Sequence, residues 1–169
     1  MRVSAWWWLW LLLLEGCWSN GQYQIISDPR GAKIVTGRFS PSLLQSDPSF
    51  SWYNQNYSSY TPDSEAVRFI AQNARAVRFV VVGGTWCGDT RRELPRFFRV
   101  VEEAKIPSDQ IELYGVDRMK EGPGKIAEKY DIESVPTFIL FSGGKEIGRI
   151  VESPHRSIEL DLEDLLKKM

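Results

Sequence analysis

The chain holds a cysteine at a position where a thiol can do chemistry. Cys87 follows the apolar run 78–84, which ends in the glycine pair Gly83-Gly84, and it precedes a segment with helical periodicity. The run predicts a buried strand, and the segment after it predicts a helix. Free backbone N–H groups and the macrodipole at a helix N-terminus favour a thiolate. Because the thiolate is the nucleophilic form, Cys87 is predicted to be a nucleophile.

Three segments in the right order resemble the thioredoxin family. Trp86-Cys87-Gly88-Asp89-Thr90 resembles its Trp-Cys-Gly-Pro-Cys active site, and Pro95 stands where that family carries the proline of its active-site helix. Ser134-Val135-Pro136-Thr137-Phe138 resembles the cis-proline segment, and residues 138–149 resemble the final hairpin. The resemblance covers roughly residues 63–169. It implies a thioredoxin fold, which is an α/β fold with a mixed central sheet and helices on both faces.

The resemblance also implies roles for individual residues. Cys87 would be the nucleophile, and the Thr90 hydroxyl would donate a hydrogen bond to its thiolate. Asp89 would oppose the thiolate through like-charge repulsion, which Arg91 and Arg92 would partly offset. The expected substrate-binding positions are Trp86, Gly88, Val135 and Pro136. For Trp86, simple packing and an exposed apolar contact are equally open.

Two residues depart from the family pattern. Thr90 stands where a thioredoxin has its second, resolving cysteine, and Val81 stands where the family keeps a buried carboxylate. A dithiol reductase needs that second thiolate to release its mixed disulfide. This chain is therefore predicted to use one thiol, through mixed-disulfide, isomerase or sulfenic-acid chemistry. Its expected partners are a disulfide-bearing or oxidised protein substrate and an external thiol or thioredoxin-type reductant.

A second hypothesis belongs to another class of protein. A redox-inactive module could keep the thioredoxin fold and use its groove to hold an extended peptide or a protein partner. The absence of the resolving cysteine and of the buried carboxylate favours this hypothesis. Retention of Cys87 within its complete motif favours the enzyme. The substitution Cys87→Ser separates the two, because it would abolish the first function and largely spare the second.

The N-terminal residues 1–21 predict a signal peptide. Arg2 precedes an apolar stretch at residues 5–14, which is shorter than the roughly 20 residues that span a bilayer. Cleavage after Gly21 would leave Gln22 as the new N-terminus of an exported, periplasmic or secreted protein. Alternatively, residues 14–17 resemble a lipobox, and a lipidated Cys17 would anchor a membrane lipoprotein. In an oxidising compartment, an unpaired Cys87 would be reactive or paired with another molecule.

Residues 22–62 predict an N-terminal extension packed on the thioredoxin-like domain 63–169. Glycines bound a possible short strand at 31–37, and Ser40-Pro41 predicts the start of a short helix. Two interpretations remain for an aromatic cluster in this extension. Its rings either pack the extension onto the domain, which is favoured, or form a substrate-binding lip beside the thiol. The cluster consists of Phe50, Trp52, Tyr53, Tyr57 and Tyr60.

The periodicity after Pro62 predicts alternating helices and strands. The predicted helices are 63–74, 89–105, 123–130 and 157–167, and the predicted strands are 76–82, 111–116, 137–141 and 146–151. A formal net charge of −1 does not suggest a nucleic-acid surface. With His155 as the single histidine, a Cys/His zinc site is not predicted, and neither is a cofactor. His155 is expected on the surface, and Asp117 is expected to cap a loop.

Overall fold

A six-stranded mixed sheet organises the protein. The structure is a computed structural model, and it describes residues 23–169. The strands lie in the order β1-β2-β4-β3-β5-β6. β3 and β4 run parallel, and the other neighbouring strands pair antiparallel. The strands are β1 (Tyr23–Ser27), β2 (Lys33–Arg38), β3 (Val77–Gly83), β4 (Ile111–Gly115), β5 (Thr137–Ser142) and β6 (Lys145–Val151).

The helices agree with the predicted ones after Pro62, with one shortened helix. They are α1 (Pro41–Ser46), α2 (Ser51–Ser59), α3 (Ser64–Asn73), α4 (Gly88–Glu103), α5 (Ile126–Lys129) and α6 (Ile158–Leu166). The prediction of a helix over 123–130 was wrong in its first turn. Gly124 and Lys125 have positive φ angles, +80° and +49°, and these left-handed conformations are incompatible with a right-handed helix. α5 therefore begins at Ile126.

The two faces of β3 point into two hydrophobic clusters. Phe79 and Val81 pack on the face that α3, α4 and α6 cover, whereas Val80 and Val82 pack on the face that α5 covers. This division follows from the two-residue period of a strand, which sends successive side chains to opposite faces. Helices therefore cover both faces of the mixed sheet, as predicted.

Helix α4, which begins directly after Cys87, is anchored to the sheet by aromatic packing. The ring centroid of Phe97, which is fully buried, lies 5.8 Å from that of Phe79 on β3 and 5.1 Å from that of Phe138 on β5. Aromatic pairs at this separation contribute beyond their buried area. α4 is therefore held against the centre of the sheet, and its N-terminus is held where β3 ends.

Residues 23–62 join the same sheet. β1 and β2 form a hairpin, and β2 pairs with β4 through Gly37 and Arg38. The predicted strand at 31–37 and the helix start at Ser40 are present as β2 and α1. β1 and α2 were not predicted. β1 is exposed along its whole length, so it lacks the alternation that marks a half-buried strand.

The aromatic cluster of residues 50–60 packs against the hydrophobic core and against α4. Phe50 and Tyr53 are buried, and the rings of Tyr53 and Tyr57 stack 6.2 Å apart. The rings of Tyr57 and Tyr60 lie under α4 arginines, 5.5 Å from Arg99 and 5.0 Å from Arg96. The cluster thus connects α2 to α4.

The ion pair between Lys33 and Asp47, both in the N-terminal extension, makes the free energy of unfolding depend on pH. The ammonium group of Lys33 donates to Asp47 over 2.9 Å, and the Ser49 N–H donates to the same carboxylate. These bonds lower the pKa of Asp47 from 3.8 to about 2. Because the folded-state pKa is depressed, the stabilisation is complete above pH 3.8 and is lost as pH falls toward about 2.

We expect Asp47→Asn to lower the free energy of unfolding at neutral pH, since the amide cannot replace the charged acceptor. The difference from wild type should shrink as pH falls from 3.8 toward about 2, because wild-type Asp47 is then protonated as well. Urea unfolding of both proteins over a pH series measures this. A difference that stays constant with pH would contradict the prediction.

The predicted signal peptide, its cleavage before Gln22 and the lipidation of Cys17 all lie outside the described residues. Within residues 23–169, no helix is both long enough and apolar enough to cross a bilayer.

Candidate active site

Cys87 occupies the junction between the central strand and the active-site helix. β3 ends at Gly83, α4 begins at Gly88, and Cys87 is the N-cap residue in an extended conformation. Its N–H donates to the Gly84 carbonyl over 2.8 Å, which closes the turn. The side chain is partly exposed and its thiol is free. The position predicted from the sequence is therefore the observed one.

The thiol faces the loop before β5. The Val135–Pro136 peptide bond is cis, and the Cys87 thiol donates a hydrogen bond to the Val135 carbonyl over 3.2 Å. The Pro136 carbonyl accepts the N–H of Glu152 over 2.7 Å, and this bond connects the loop to the residue after β6. The Val135 side chain is buried, so its backbone is what the thiol contacts.

Two parts of the structure meet at the Cys87 sulfur. One is the N-terminus of α4, whose backbone N–H groups carry partial positive charge. The other is the Val135 carbonyl, which accepts the S–H. The sulfur therefore lies between the start of the helix and the cis-proline loop.

Trp86 is packed against its neighbours and remains partly exposed. The indole N–H donates to the Val116 carbonyl over 3.0 Å, and the Arg118 guanidinium lies 5.2 Å from the ring centroid. The ring also covers Gly84, where a Cβ atom would lie only 2.6 Å from the indole. The ring is therefore fixed in place by Val116, Arg118 and Gly84.

Thr90 has a different contact from the expected one. It is fully buried, and its hydroxyl oxygen accepts the N–H of Gly84 over 3.2 Å. No hydrogen bond between Thr90 and the Cys87 sulfur is found among the described residues. Its methyl group packs against Gly83, where a Cβ would lie 2.9 Å away. Thr90 thus fastens the strand end to the first turn of α4.

The charged residues after Cys87 are paired. Asp89 accepts from Arg92 over 2.6 Å, whereas Arg91 donates to the Thr85 carbonyl over 2.8 Å and lies 5.9 Å from the Trp52 ring centroid. The hydrogen bond from Arg92 to Glu93, followed by the one to Asp89, raises the pKa of Arg92. The charge of Asp89 is thus offset by Arg92, and Arg91 supports the backbone before the thiol.

The extension reaches the site through two contacts that the sequence analysis missed. The Thr85 hydroxyl accepts the N–H of Val35 and donates to the Lys33 carbonyl, so β2 holds the turn before Trp86. The nearly buried Asp28 binds Arg118 over 2.7 Å, and Arg118 covers the Trp86 ring. Hydrogen bonding to Arg118, above all, lowers the pKa of Asp28. Asp28 and Arg118 are 90 positions apart, so no local sequence pattern predicts that they form an ion pair.

The two polar residues expected to lie outside the chemistry do so. The Asp117 carboxylate accepts the N–H groups of Met119 and Glu121, so it caps its loop as predicted. His155 is exposed near the start of α6, and its backbone N–H donates to Asp161. Within residues 23–169, no cluster of His, Cys, Asp or Glu side chains is arranged to hold a metal ion.

Together, a cysteine at a strand-to-helix turn, a cis-proline loop facing it and a mixed sheet beneath define a thioredoxin-fold site with one cysteine. Residues 63–164 match the family model described as Thioredoxin. This match covers more than half of the chain, so the chain belongs to the thioredoxin family.

Individual relatives are similar over part of their length. A thioredoxin-like protein of Acanthamoeba polyphaga mimivirus is 35% identical over 75 residues, which are 44% of this chain and 52% of the viral protein. The thioredoxin of Chlamydia pneumoniae is 34% identical over 83 residues, 49% of this chain and 72% of that protein. The chain spans about half the length of the first of these relatives. Among solved structures, Fasciola hepatica thioredoxin is 24% identical with a TM-score of 0.40, over 60% of this chain and 88% of that one.

Proposed function

We propose that this protein is an exported thiol-disulfide oxidoreductase that works through Cys87 alone. The observation that carries the proposal is the position of the sulfur of the partly exposed Cys87, at the N-cap of α4 and 3.2 Å from the Val135 carbonyl. Membership of the thioredoxin family supports the reaction class. The single-cysteine mechanism rests on Thr90, which supplies no second sulfur.

The reaction begins when the Cys87 thiolate attacks one sulfur of a substrate disulfide. A bond forms between Cys87 Sγ and that sulfur, the substrate S–S bond breaks, and the other sulfur leaves as a thiolate that takes up a proton. An external thiolate then attacks the substrate sulfur of the mixed disulfide. Cys87 leaves as a thiolate, and the external thiol is now joined to the substrate, so the two steps conserve the number of disulfides.

The surroundings of the thiol suit an extended peptide. Gly88 is exposed, and a Cβ placed on it would meet no atom within 4 Å, so a substrate sulfur can approach along this side. Backbone groups of Val135, freed from the thiol on ionisation, can pair with a peptide strand as in strand addition. The fixed Trp86 ring supplies an apolar contact at the edge of this groove.

Trapping of the mixed disulfide tests the mechanism. The protein is incubated with a peptide that carries a small leaving thiol as a disulfide, and intact-mass and peptide mapping locate the adduct. We expect one peptide on Cys87, its release by added glutathione, and no adduct at this site in Cys87→Ser.

The binding-module hypothesis makes the opposite prediction for the same variant. If Cys87→Ser binds the reduced peptide as well as wild type, and wild type forms no adduct on Cys87, the redox-inactive module replaces the enzyme as the better account. An adduct on Cys87 in wild type, together with the loss of turnover in Cys87→Ser, would exclude the binding module.

Export is tested separately from the chemistry. Expression of the full chain in a bacterial host, followed by cell fractionation and N-terminal mass analysis, distinguishes a mature protein that begins at Gln22 from one that retains a lipidated Cys17. An intact Met1 in the cytoplasmic fraction would overturn the export part of the proposal.

A further inference from the structure

Glu93 is a buried carboxylate in the active-site helix that the exchange reaction does not use. Its residue is only 2% exposed, and it stands six positions after Cys87. One oxygen, Oε1, accepts from Arg92 over 2.6 Å and from Arg96 over 3.3 Å. The other oxygen, Oε2, is buried and has no hydrogen-bond partner among the described residues. A buried charge with an unmatched oxygen costs free energy, so packing alone does not explain it.

Arg92, the main partner of Glu93, contacts both the first turn of α4 and the segment after β6. Besides its bond to Glu93, Arg92 donates to Asp89 over 2.6 Å and to the Ser153 hydroxyl over 2.7 Å. Asp89 belongs to the first turn of α4, directly after the Cys87 segment. Ser153 follows Glu152, whose N–H holds the Pro136 carbonyl. One guanidinium therefore bridges the turn that carries the thiol and the loop that carries the cis-proline.

We propose that Glu93 is a positioning residue that holds Arg92 in this bridge and thereby sets the peptide groove between Cys87 and Pro136; the inference rests on the proposed function. Arg92 is half-exposed, and a long exposed side chain gains little from ion pairs with mobile partners. The Glu93 side chain, in contrast, is only 3% exposed, so the surrounding packing holds its carboxylate in place. By binding Nε, the carboxylate directs Nη2 of the guanidinium toward Asp89 and Ser153.

The experiment compares two reactions of Cys87 that differ in their need for the groove. Iodoacetamide is a small reagent that needs only the thiolate, whereas a disulfide-bearing peptide must also lie along the Pro136 loop. We expect Arg92→Ala to lower the rate constant for the peptide disulfide by about tenfold, through lost orientation, and that for iodoacetamide by less than about twofold.

A matched control lies on the same helix. Arg99→Ala also removes one positive charge from α4 and breaks a bond to Glu103, but within residues 23–169 Arg99 has no hydrogen bond to the thiol turn or the proline loop. Both of its rate constants should stay at the wild-type values. Urea unfolding of each variant verifies that the rates compare folded proteins.

A double-mutant cycle tests whether Glu93 acts through Arg92. Glu93→Gln keeps the shape of the side chain and removes its charge, so it should also slow the peptide reaction selectively. The double variant Glu93→Gln/Arg92→Ala should then react with the peptide no more slowly than Arg92→Ala, because Glu93 acts only through Arg92. Additive losses in the double variant would overturn the positioning role.

The outcomes separate this inference from the proposed function. A wild type that reacts with the peptide disulfide while Arg92→Ala reacts equally fast would overturn the inference alone. Equal slowing of both reactions would overturn it too, because the effect would then lie in the thiolate and not in the groove. A wild type that reacts with iodoacetamide but never with a disulfide would overturn the proposed function, and the inference with it.

Discussion

Thr90→Cys is expected to turn this protein into a dithiol reductase. Position 90 lies in the first turn of α4, three residues after Cys87, and its side chain is buried beneath the thiol turn. A sulfur there would face the mixed disulfide from within the protein. An intramolecular thiol has an effective concentration far above that of any external one, so we expect turnover of a peptide disulfide to rise by at least about tenfold.

The substitution has a modest structural cost. It removes the hydroxyl oxygen that accepts the Gly84 N–H, and sulfur is a weaker acceptor. We expect a loss of about 1 kcal/mol in the free energy of unfolding, the usual net contribution of one hydrogen bond. Sulfur can take the place of the hydroxyl or of the methyl group but not of both, so with the sulfur at the hydroxyl position the methyl contact with Gly83 is lost as well.

The measurement is peptide-disulfide reduction in the presence of dithiothreitol, with the mass of the oxidised protein as a second readout. Thr90→Cys should lose two hydrogens on oxidation, as a disulfide forms between Cys87 and the sulfur introduced at position 90. Thr90→Ser, which keeps a hydroxyl and adds no sulfur, should remain at wild-type turnover. Mixed disulfides that persist in Thr90→Cys as long as in wild type would show that position 90 cannot reach the thiol.

Gly115→Ala is expected to have a large effect on stability. Gly115 ends β4 beside its neighbouring strand β2, and a Cβ there would lie 2.1 Å from the Val35 carbonyl oxygen and 2.8 Å from its carbon. These are backbone atoms, so no side-chain rotation relieves the overlap. The Val35 N–H is bound to Thr85, so β2 can move away only by releasing the turn before Trp86.

We expect Gly115→Ala to lower the free energy of unfolding by about 3 kcal/mol, at the upper end for overpacking. The reaction of Cys87 with a peptide disulfide should fall as well, because the support of Thr85 is lost. Urea unfolding and the peptide rate constant measure the two effects. Gly88→Ala is the control for stability, since its Cβ would meet nothing within 4 Å. Comparable stability of the two variants would contradict the close packing of β2 on β4.

Most of the fold after Pro62 could be predicted, because its signals are local. β3 carries a continuous apolar run, and α4 has apolar residues at helical spacing. The missed elements lack such signals. α2 is rich in Ser, Asn and Tyr, which are weak helix formers, and it is held by the burial of Tyr53. The shortened α5 depended on the backbone of Gly124 and Lys125, which only the loop geometry shows.

The candidate site, like the fold, could be predicted only where the sequence signals are local. The sequence by itself determined where the cysteine stands in the fold, because strand, glycine pair and helix start are contiguous around Cys87. It also determined that Thr90 brings no second sulfur. The tertiary structure decided what each side chain contacts: Thr90 holds Gly84, and the Cys87 thiol donates to Val135. Folding alone brings four further residues to the site, namely Asp28, Arg118, Glu93 and Ser153. Their ion pairs and hydrogen bonds depend on distance in space. Such contacts produce no periodic pattern in the sequence from which they could be predicted.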